Sequence, residues 1–417
     1  MNCFAQEATH WAPEATRNGQ AVGMTGPLDG IRVLDLTSVL MGPLATQTFG
    51  DLGADVICIE DAKGDTNRAM GPGPHPQLSG VSMNLLRNKR NVCLDLKAPG
   101  GVATALAIAA TCDVMVTNLR PGPLGRLGLT YNDVRKVRPN VVFCQAHGWP
   151  SSGPDANRPA YDDIVQTATG IADSFRLVDG EPRMAPTLVA DKVSGLTIAY
   201  AVIAALFHRE RTGEGQFIEV AMTQAMTAFV LSEHGAAAIP EPQLGPAGYA
   251  RILAPNRRPH RTIDGWFAIL PYSLEDYRNV FGEGDRLDLL NDERAANAKS
   301  RIMNGNWLYG KVAEIVATRT TGFWVEFCHR HSIPSSPVVS LQDLVDDLPL
   351  ADHERAGRYR VLPFGASFSQ TPCSIRTDAP LIGQHNDEVL TEVGISPGSI
   401  AALRASGALL DPARELR

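Results

Sequence analysis

The sequence predicts an α/β protein: a parallel sheet covered on both faces forms a large domain, and a smaller α+β domain follows it. Three observations predict this. Short, almost continuous apolar runs alternate with helical patterns through the first 150 residues, the signature of strands buried on both faces. The character changes between about 235 and 330, where Trp266, Trp307 and Trp324 fall among polar helical segments. A chain of 417 residues also exceeds what one hydrophobic core usually supports.

Residues 31–36 form the first apolar strand pattern. Gly42 and Pro43 open a helix over 44–52, since proline is tolerated in a first helical turn. Gly53 closes it, and 54–59 is a second strand ending at Glu60. Strand, helix and strand in so short a span make a βαβ unit, which requires parallel pairing. The pattern continues with strand 91–96, helix 101–110, strand 113–117 and strand 140–145. The apolar run 193–207 is too short to span a bilayer and reads as a buried core helix. Residues 263–270 read as turn and strand, and 387–393 as a helix in returning α/β material.

The expected layout is a disordered extension over 1–25 and a large domain over 26–225. A small domain with its linkers covers 226–335, and 336–417 returns to the large domain. Residues 1–25 lack the apolar segment of a signal peptide. The seven cysteines are scattered and show no C-x-x-C pair, so neither a disulfide framework nor a zinc site is expected. A reducing, cytoplasmic setting fits them. A net charge of −7 argues against nucleic acid or an anionic membrane as partner.

Four constellations could carry chemistry. Glu60 ends a second strand as the ribose-binding acid of a dinucleotide fold does, but Gly42, Gly50 and Gly53 do not form G-x-G-x-x-G, so an ordinary βαβ core is the better reading. Arg87, Lys89, Arg90 and Lys97, with Arg120 and Arg126, lie near strand ends, where they either oppose ligand phosphates or are solvated surface charge. Asp191 precedes the long apolar run at the expected N-cap of its helix. The helix dipole there favours an ionised carboxylate, which is what nucleophilic attack on a carbonyl needs. Asp162, Asp163 and His147 are candidate acids or bases, with helix capping and a structural histidine as the plainer readings.

Several segments together resemble one family, the class III (CaiB/BaiF-type) coenzyme A transferases, relatives of formyl-CoA transferase, carnitine-CoA transferase and α-methylacyl-CoA racemase. They include Gly26-Pro-Leu-Asp-Gly-Ile-Arg-Val-Leu-Asp35, Leu52-Gly-Ala-Asp-Val-Ile57, Arg87-Asn-Lys-Arg90, Asn118-Leu-Arg-Pro-Gly122, His208-Arg-Glu-Arg-Thr-Gly-Glu-Gly-Gln216 and Leu381-Ile-Gly-Gln-His-Asn386. The resemblance runs from Gly26 to Val393. It implies a Rossmann-like large domain built from both chain ends, an interlocked homodimer, and CoA transfer from an acyl-CoA donor to a free carboxylic acid through an aspartyl-CoA thioester on Asp191. It also implies CoA contacts at Val39, Met41, Leu94, Lys97, Asn118, Leu119, Arg126 and Met222. No permanent cofactor or metal is implied, since the CoA thioester is a substrate.

The chain departs from formyl-CoA transferase at Asp61, which replaces an arginine and leaves Lys63 as an alternative phosphate contact. Leu40 replaces a glutamine near the acyl group, and no glycine run matches the flexible loop. The racemase branch works with an acid–base pair, for which Asp162 and His147 are the candidates here, because 128–140 contains no histidine. A non-catalytic nucleotide-binding protein is the alternative from another class.

Overall fold

The computed structural model describes residues 26–412; the extension expected over 1–25 lies outside them. The described chain forms two compact units. The first runs to Thr169 and takes in Ala185–Phe229 and the chain from Asp347 onward; the second consists of Gly170–Met184 and Val230–Asp346.

In the first unit β1 (Arg32–Leu36), α1 (Met41–Asp51), β2 (Asp55–Glu60), α2 (Gly80–Leu85), β3 (Lys89–Cys93), α3 (Gly101–Ala109), β4 (Val114–Thr117), α4 (Pro121–Leu127), α5 (Tyr131–Val137), β5 (Val142–His147) and α6 (Asp162–Ala168) follow one another. After α7 (Ile171–Asp179), which belongs to the second unit, come α8 (Val189–Thr212), β6 (Phe217–Ala221) and α9 (Met222–His234). The six strands form one sheet of order β3-β2-β1-β4-β5-β6, and every neighbouring pair is parallel. The order reverses direction between β1 and β4, the switch point at which open α/β sheets bind ligands beyond the carboxyl ends of their strands.

β3 starts two residues before its expected place and β5 lies two residues after its own, each for a local reason. β3 begins at Lys89, whose charge looked unfit for a buried strand. Its ammonium is fully enclosed and donates to Asp35 Oδ2 at 3.0 Å, Thr46 Oγ1 at 2.7 Å and the Pro43 carbonyl at 3.1 Å. β5 extends through the buried His147. The strand β6 and helices α4 and α5 were not foreseen, and α6 only as a helix start at Asp162.

α8 is longer than the apolar run suggested and is buried on one side only. Ser194, Gly195, Ile198, Val202 and Ala205 face inward, whereas Leu196, Tyr200, Ile203 and Phe207 are 58%, 65%, 37% and 65% exposed. By length and composition alone the helix could cross a membrane. Its inner face lies on α1. Gly195 permits the approach, because a Cβ there would stand 2.7 Å from the Met41 carbonyl oxygen.

The second unit holds a small antiparallel sheet of β7 (His260–Arg261), β8 (Trp266–Ile269) and β9 (Ser335–Pro337). Helices α10 (Leu274–Glu283), α11 (Ala298–Met303), α12 (Gly305–Val316), α13 (Thr321–His331) and α14 (Leu341–Asp346) accompany it. Phe267, Phe281, Leu308 and Trp324 form its core, and the Trp324 indole donates to the Val316 carbonyl at 2.9 Å, the partner a buried indole N–H needs.

From Asp347 the chain rejoins the first unit with the hairpin β10 (Leu350–His353) and β11 (Gly357–Arg360), then α15 (Asn386–Glu392) and α16 (Pro397–Ala405). Val389, Leu390, Ile400 and Leu409 share a core with Leu34, Ile57 and Phe143 of the sheet. Polar groups around β3 grip this returning segment. Asn88 Oδ1 accepts from the backbone N–H groups of Arg376 and Thr377 at 2.6 and 3.1 Å. Asn91 Oδ1 accepts from Gly383 at 2.6 Å, and the Cys93 N–H donates to Asn386 Oδ1 at 2.9 Å.

Candidate functional site

The loops after β1 and β4 meet at the switch point. Asn118 bridges them, accepting from the Ser38 N–H at 3.1 Å and donating to the Ser38 carbonyl at 2.8 Å. The Gln145 amide holds the Leu119 carbonyl at 3.0 Å. Between them Val39 adopts φ +71°, a left-handed conformation that a β-branched residue resists. It is held there from both sides: its N–H donates to Asp65 Oδ1 at 2.9 Å, and its carbonyl accepts from Asn67 Nδ2 at 3.3 Å. The Asp65 N–H in turn donates to Glu60 Oε2 at 2.7 Å, and Glu60 is clamped by Arg68 through two hydrogen bonds and by Asn91. Strain maintained by such a network is a mark of functional sites. Burial raises the Asp65 carboxyl to about 6, against the two backbone N–H groups that lower it.

Val39, Asn118 and Leu119 therefore lie on the loops that meet at the carboxyl ends of the central strands β1 and β4, with Met41 opening α1 just after Val39. Met222 is buried where β6 passes into α9. Lys97 and Arg126 are exposed, and neither is ion-paired among the described residues. Leu94 is fully buried in the core beside Ile57 and offers a ligand no side-chain surface. Lys63 is exposed and lines a cavity of about 310 Å³ with Asp65, Arg68, His75 and Gln77.

Other cations of the basic cluster have structural partners. Arg87 pairs with Asp51 at 2.6 Å with both side chains buried, and Lys89 with Asp35. Arg90 pairs with Asp55 and Glu392, each at 2.6 Å. They are neither solvated surface charge nor free to meet phosphates.

Asp191 is not the N-cap. Leu188 is, without a side-chain cap, and Asp191 stands in the first turn of α8. The cap is supplied from elsewhere: the Asp191 N–H donates to Asp162 Oδ1 at 2.9 Å. Asp162 is the first residue of α6 and is buried. Its Oδ2 accepts from Gln166 Nε2 at 2.5 Å. Gln166, fully enclosed, also donates to the Thr187 carbonyl at 3.1 Å and accepts from the Ala185 N–H at 2.9 Å. Asp162 and Asp191 thus converge, 29 residues apart in sequence.

Among the described residues no donor hydrogen-bonds the Asp191 carboxylate. Burial first, then the charges of Asp162 and Asp163, raise its pKa to about 6. Desolvation and like charge outweigh the helix dipole that was expected to keep this group acidic. The result still leaves it about nine-tenths ionised at pH 7. A carboxylate this basic and this poorly solvated is a better nucleophile than a surface aspartate.

His147 is buried at the end of β5, with Nε2 at 3.1 Å from Glu219 Oε1. Burial lowers its pKa, against the opposing pull of Glu219. Its charged partner is Glu219, not the Asp162–Asp191 pair. Gln166, Asp65 and Asn67 escaped the sequence reading. The spacing of Asp162 and Gln166 on one helix, which places the two side chains on the same face, was the available signal for the first.

The chain matches the model of CoA-transferase family III over residues 28–386. It is 30% identical over 393 residues to a succinyl-CoA:glutarate CoA-transferase of Mus musculus, covering 92% of this chain and 90% of that protein. It is 31% identical to a succinate–glutarate CoA-transferase of Agrobacterium fabrum, covering 88% and 96%, and 29% identical to a formyl-CoA:oxalate CoA-transferase of Afipia carboxidovorans, covering 93% and 98%. Among solved structures, a CAIB/BAIF family protein from Brucella suis superposes with a TM-score of 0.76 at 25% identity, covering 88% of this chain and all of that one.

Proposed function

This chain belongs to CoA-transferase family III and is an acyl-CoA:carboxylate CoA-transferase, and from that premise we propose that Asp191 carries the coenzyme as an aspartyl-CoA thioester. The supporting observation is its carboxylate: buried, without a hydrogen-bond donor among the described residues, and raised to about 6 by burial and its acidic neighbours.

A carboxylate oxygen of Asp191 attacks the donor thioester carbonyl; the C–S bond breaks and CoA leaves as thiolate, leaving a mixed anhydride. The thiolate attacks the aspartyl carbonyl, and the donor acid departs as carboxylate. The acceptor carboxylate then attacks the aspartyl thioester, releasing CoA thiolate and forming a second mixed anhydride. Thiolate attack on the acceptor's acyl carbonyl gives the new acyl-CoA and restores Asp191. No proton need move, so the site requires no general acid. The nucleotide end of CoA is taken at the switch point by Val39, Met41, Asn118 and Leu119, with Lys97 and Arg126, exposed and not ion-paired among the described residues, as cations for its phosphates.

α-Proton exchange by a racemase-type pair is the poorer reading. Both oxygens of Asp162 already accept protein hydrogen bonds, and His147 faces Glu219. The exposed stripe of Leu196, Tyr200, Ile203 and Phe207 supports a homodimer, because a second copy would bury an apolar face of this size. Size-exclusion chromatography with light scattering reports the assembly directly.

The functional test incubates the protein with succinyl-CoA and a panel of free mono- and dicarboxylic acids, and follows new thioesters. The proposal expects transfer to at least one acid and none by Asp191→Ala, with CoA binding retained. Transfer by that variant at the normal rate overturns it.

A further inference from the structure

Gln166 has a place in the site that no role yet described requires. Its side chain is fully enclosed, one helical turn past Asp162, and its amide satisfies all its neighbours at once. Nε2 donates to Asp162 Oδ2 at 2.5 Å and to the Thr187 carbonyl at 3.1 Å, and Oε1 accepts from the Ala185 N–H at 2.9 Å. These contacts lie on both sides of the nucleophile's support. Asp162 receives the Asp191 N–H, and residues 185–187 are the chain that delivers α8; the Val189 N–H closes onto the Thr187 carbonyl at 2.8 Å. One amide therefore fixes the approach to the helix and the carboxylate that caps it.

We propose that Gln166 is a positioning residue for the reaction, aiming the Asp191 carboxylate at the thioester by locking Asp162 and the 185–187 segment together. The inference rests on Asp191 being the nucleophile. Gln166 touches neither substrate nor reacting atoms; it acts through Asp162 and the backbone. Its carboxamide is suited to this because it must donate to an acid and a carbonyl while accepting from an N–H, which neither a carboxylate nor an aliphatic chain can do. An aim loosened by about 1 Å is enough to cost a reaction about a hundredfold. Because the lock also fixes the Asp162 charge beside Asp191, its loss changes how Asp191 titrates, which a merely structural glutamine would not affect.

The test measures single-turnover formation of aspartyl-CoA from acyl-CoA, by intact-protein mass spectrometry, across pH 5 to 8. Gln166→Leu is expected to slow this step about 10- to 100-fold, to leave the KM for the donor within about twofold, and to displace the acid limb of the rate profile. A second variant guards against loss of folding. Asp162→Asn keeps the acceptor for the Asp191 N–H but sets an amide N–H₂ against that of Gln166. This near-isosteric break in the lock should slow the same step, with folding and CoA binding retained. A normal single-turnover rate and unmoved profile in Gln166→Leu, or a normal rate in Asp162→Asn, overturns the proposal. If the unmodified protein forms no adduct on Asp191, the nucleophile assignment itself fails, a result distinct from either of these.

Discussion

The backbone N–H of Asp191 donates to the carboxylate of Asp162 at 2.9 Å, so the acid that opens α6 caps the helix that carries the nucleophile. The contact has two effects. It satisfies a donor that the first turn of α8 would otherwise leave open, and it brings a second negative charge against Asp191. That charge makes the nucleophile more basic.

The rate of the first half-reaction should depend on pH through Asp191. The attacking form is the carboxylate, its pKa is raised to about 6, and activity should be flat above about pH 7 and fall roughly tenfold per unit well below 6. A pre-steady-state profile checks this. An acid limb centred near 4 contradicts the raised pKa.

Asp191→Asn should stabilise the protein while abolishing transfer. The sign follows from linkage: the folded-state pKa lies above the ordinary value, so the folded state binds more protons between about 4 and 6 and stability declines as pH rises through that window. Above it the full penalty remains, about 3 kcal/mol at most for a two-unit shift and less because the group is partly solvated. The variant should melt a few degrees higher than the parent at pH 8, with the difference vanishing near pH 4. Equal melting temperatures at pH 8 argue against a strained carboxylate.

Val39 and its clamp should separate binding from folding. Val39→Gly removes the steric cost of a positive φ, worth about 1–3 kcal/mol, and should not lower thermal stability. The loss of its side chain should raise the KM for acyl-CoA. Asp65→Ala should also raise KM, by freeing the loop. Isothermal titration with CoA separates the two variants from a global effect.

Gly195→Ala should fail in another way. Its new methyl group would stand 2.7 Å from the Met41 carbonyl, so α8 must back away from α1, shifting Asp191 relative to the switch-point loops. Overpacking of this kind costs about 1–3 kcal/mol. A lowered melting temperature should accompany a fall in kcat, and a crystal structure of the variant should show the two helices further apart.

The cations divide into two classes by their partners. Lys89→Met strands the buried Asp35 and should cost about 3–5 kcal/mol without altering the KM of the protein that folds. Lys97→Ala and Arg126→Ala should leave the melting temperature unchanged and raise the KM for acyl-CoA, most strongly at low ionic strength. The reverse pattern removes Lys97 and Arg126 from the CoA site.

The alternation of apolar strands with helices was legible because parallel strands buried on both faces need little besides apolar residues; β1, β2 and β4 stand where the pattern put them. Lys89 hid the start of β3, since a buried ammonium is acceptable only with partners such as Asp35 and Thr46, which lie 54 and 43 residues away in sequence. Arg87 admitted a reading as solvated surface charge for the same reason: its partners are distant, Asp51 and the backbone carbonyl of Leu362. At the site, Asp191 was visible as an acid at a helix start. Its partners were not, because capping by Asp162 crosses from another helix, and the left-handed turn at Val39 is imposed by Asp65 and Asn67 against the preference of the residue itself.

The most direct test of the central claim is to incubate the protein with an acyl-CoA donor, trap the intermediate with hydroxylamine or borohydride, and locate the modified residue by peptide mass spectrometry. The account predicts a single modification, on Asp191, that free acceptor acid discharges. A modification on any other residue, or efficient transfer with no trappable adduct on Asp191, contradicts it.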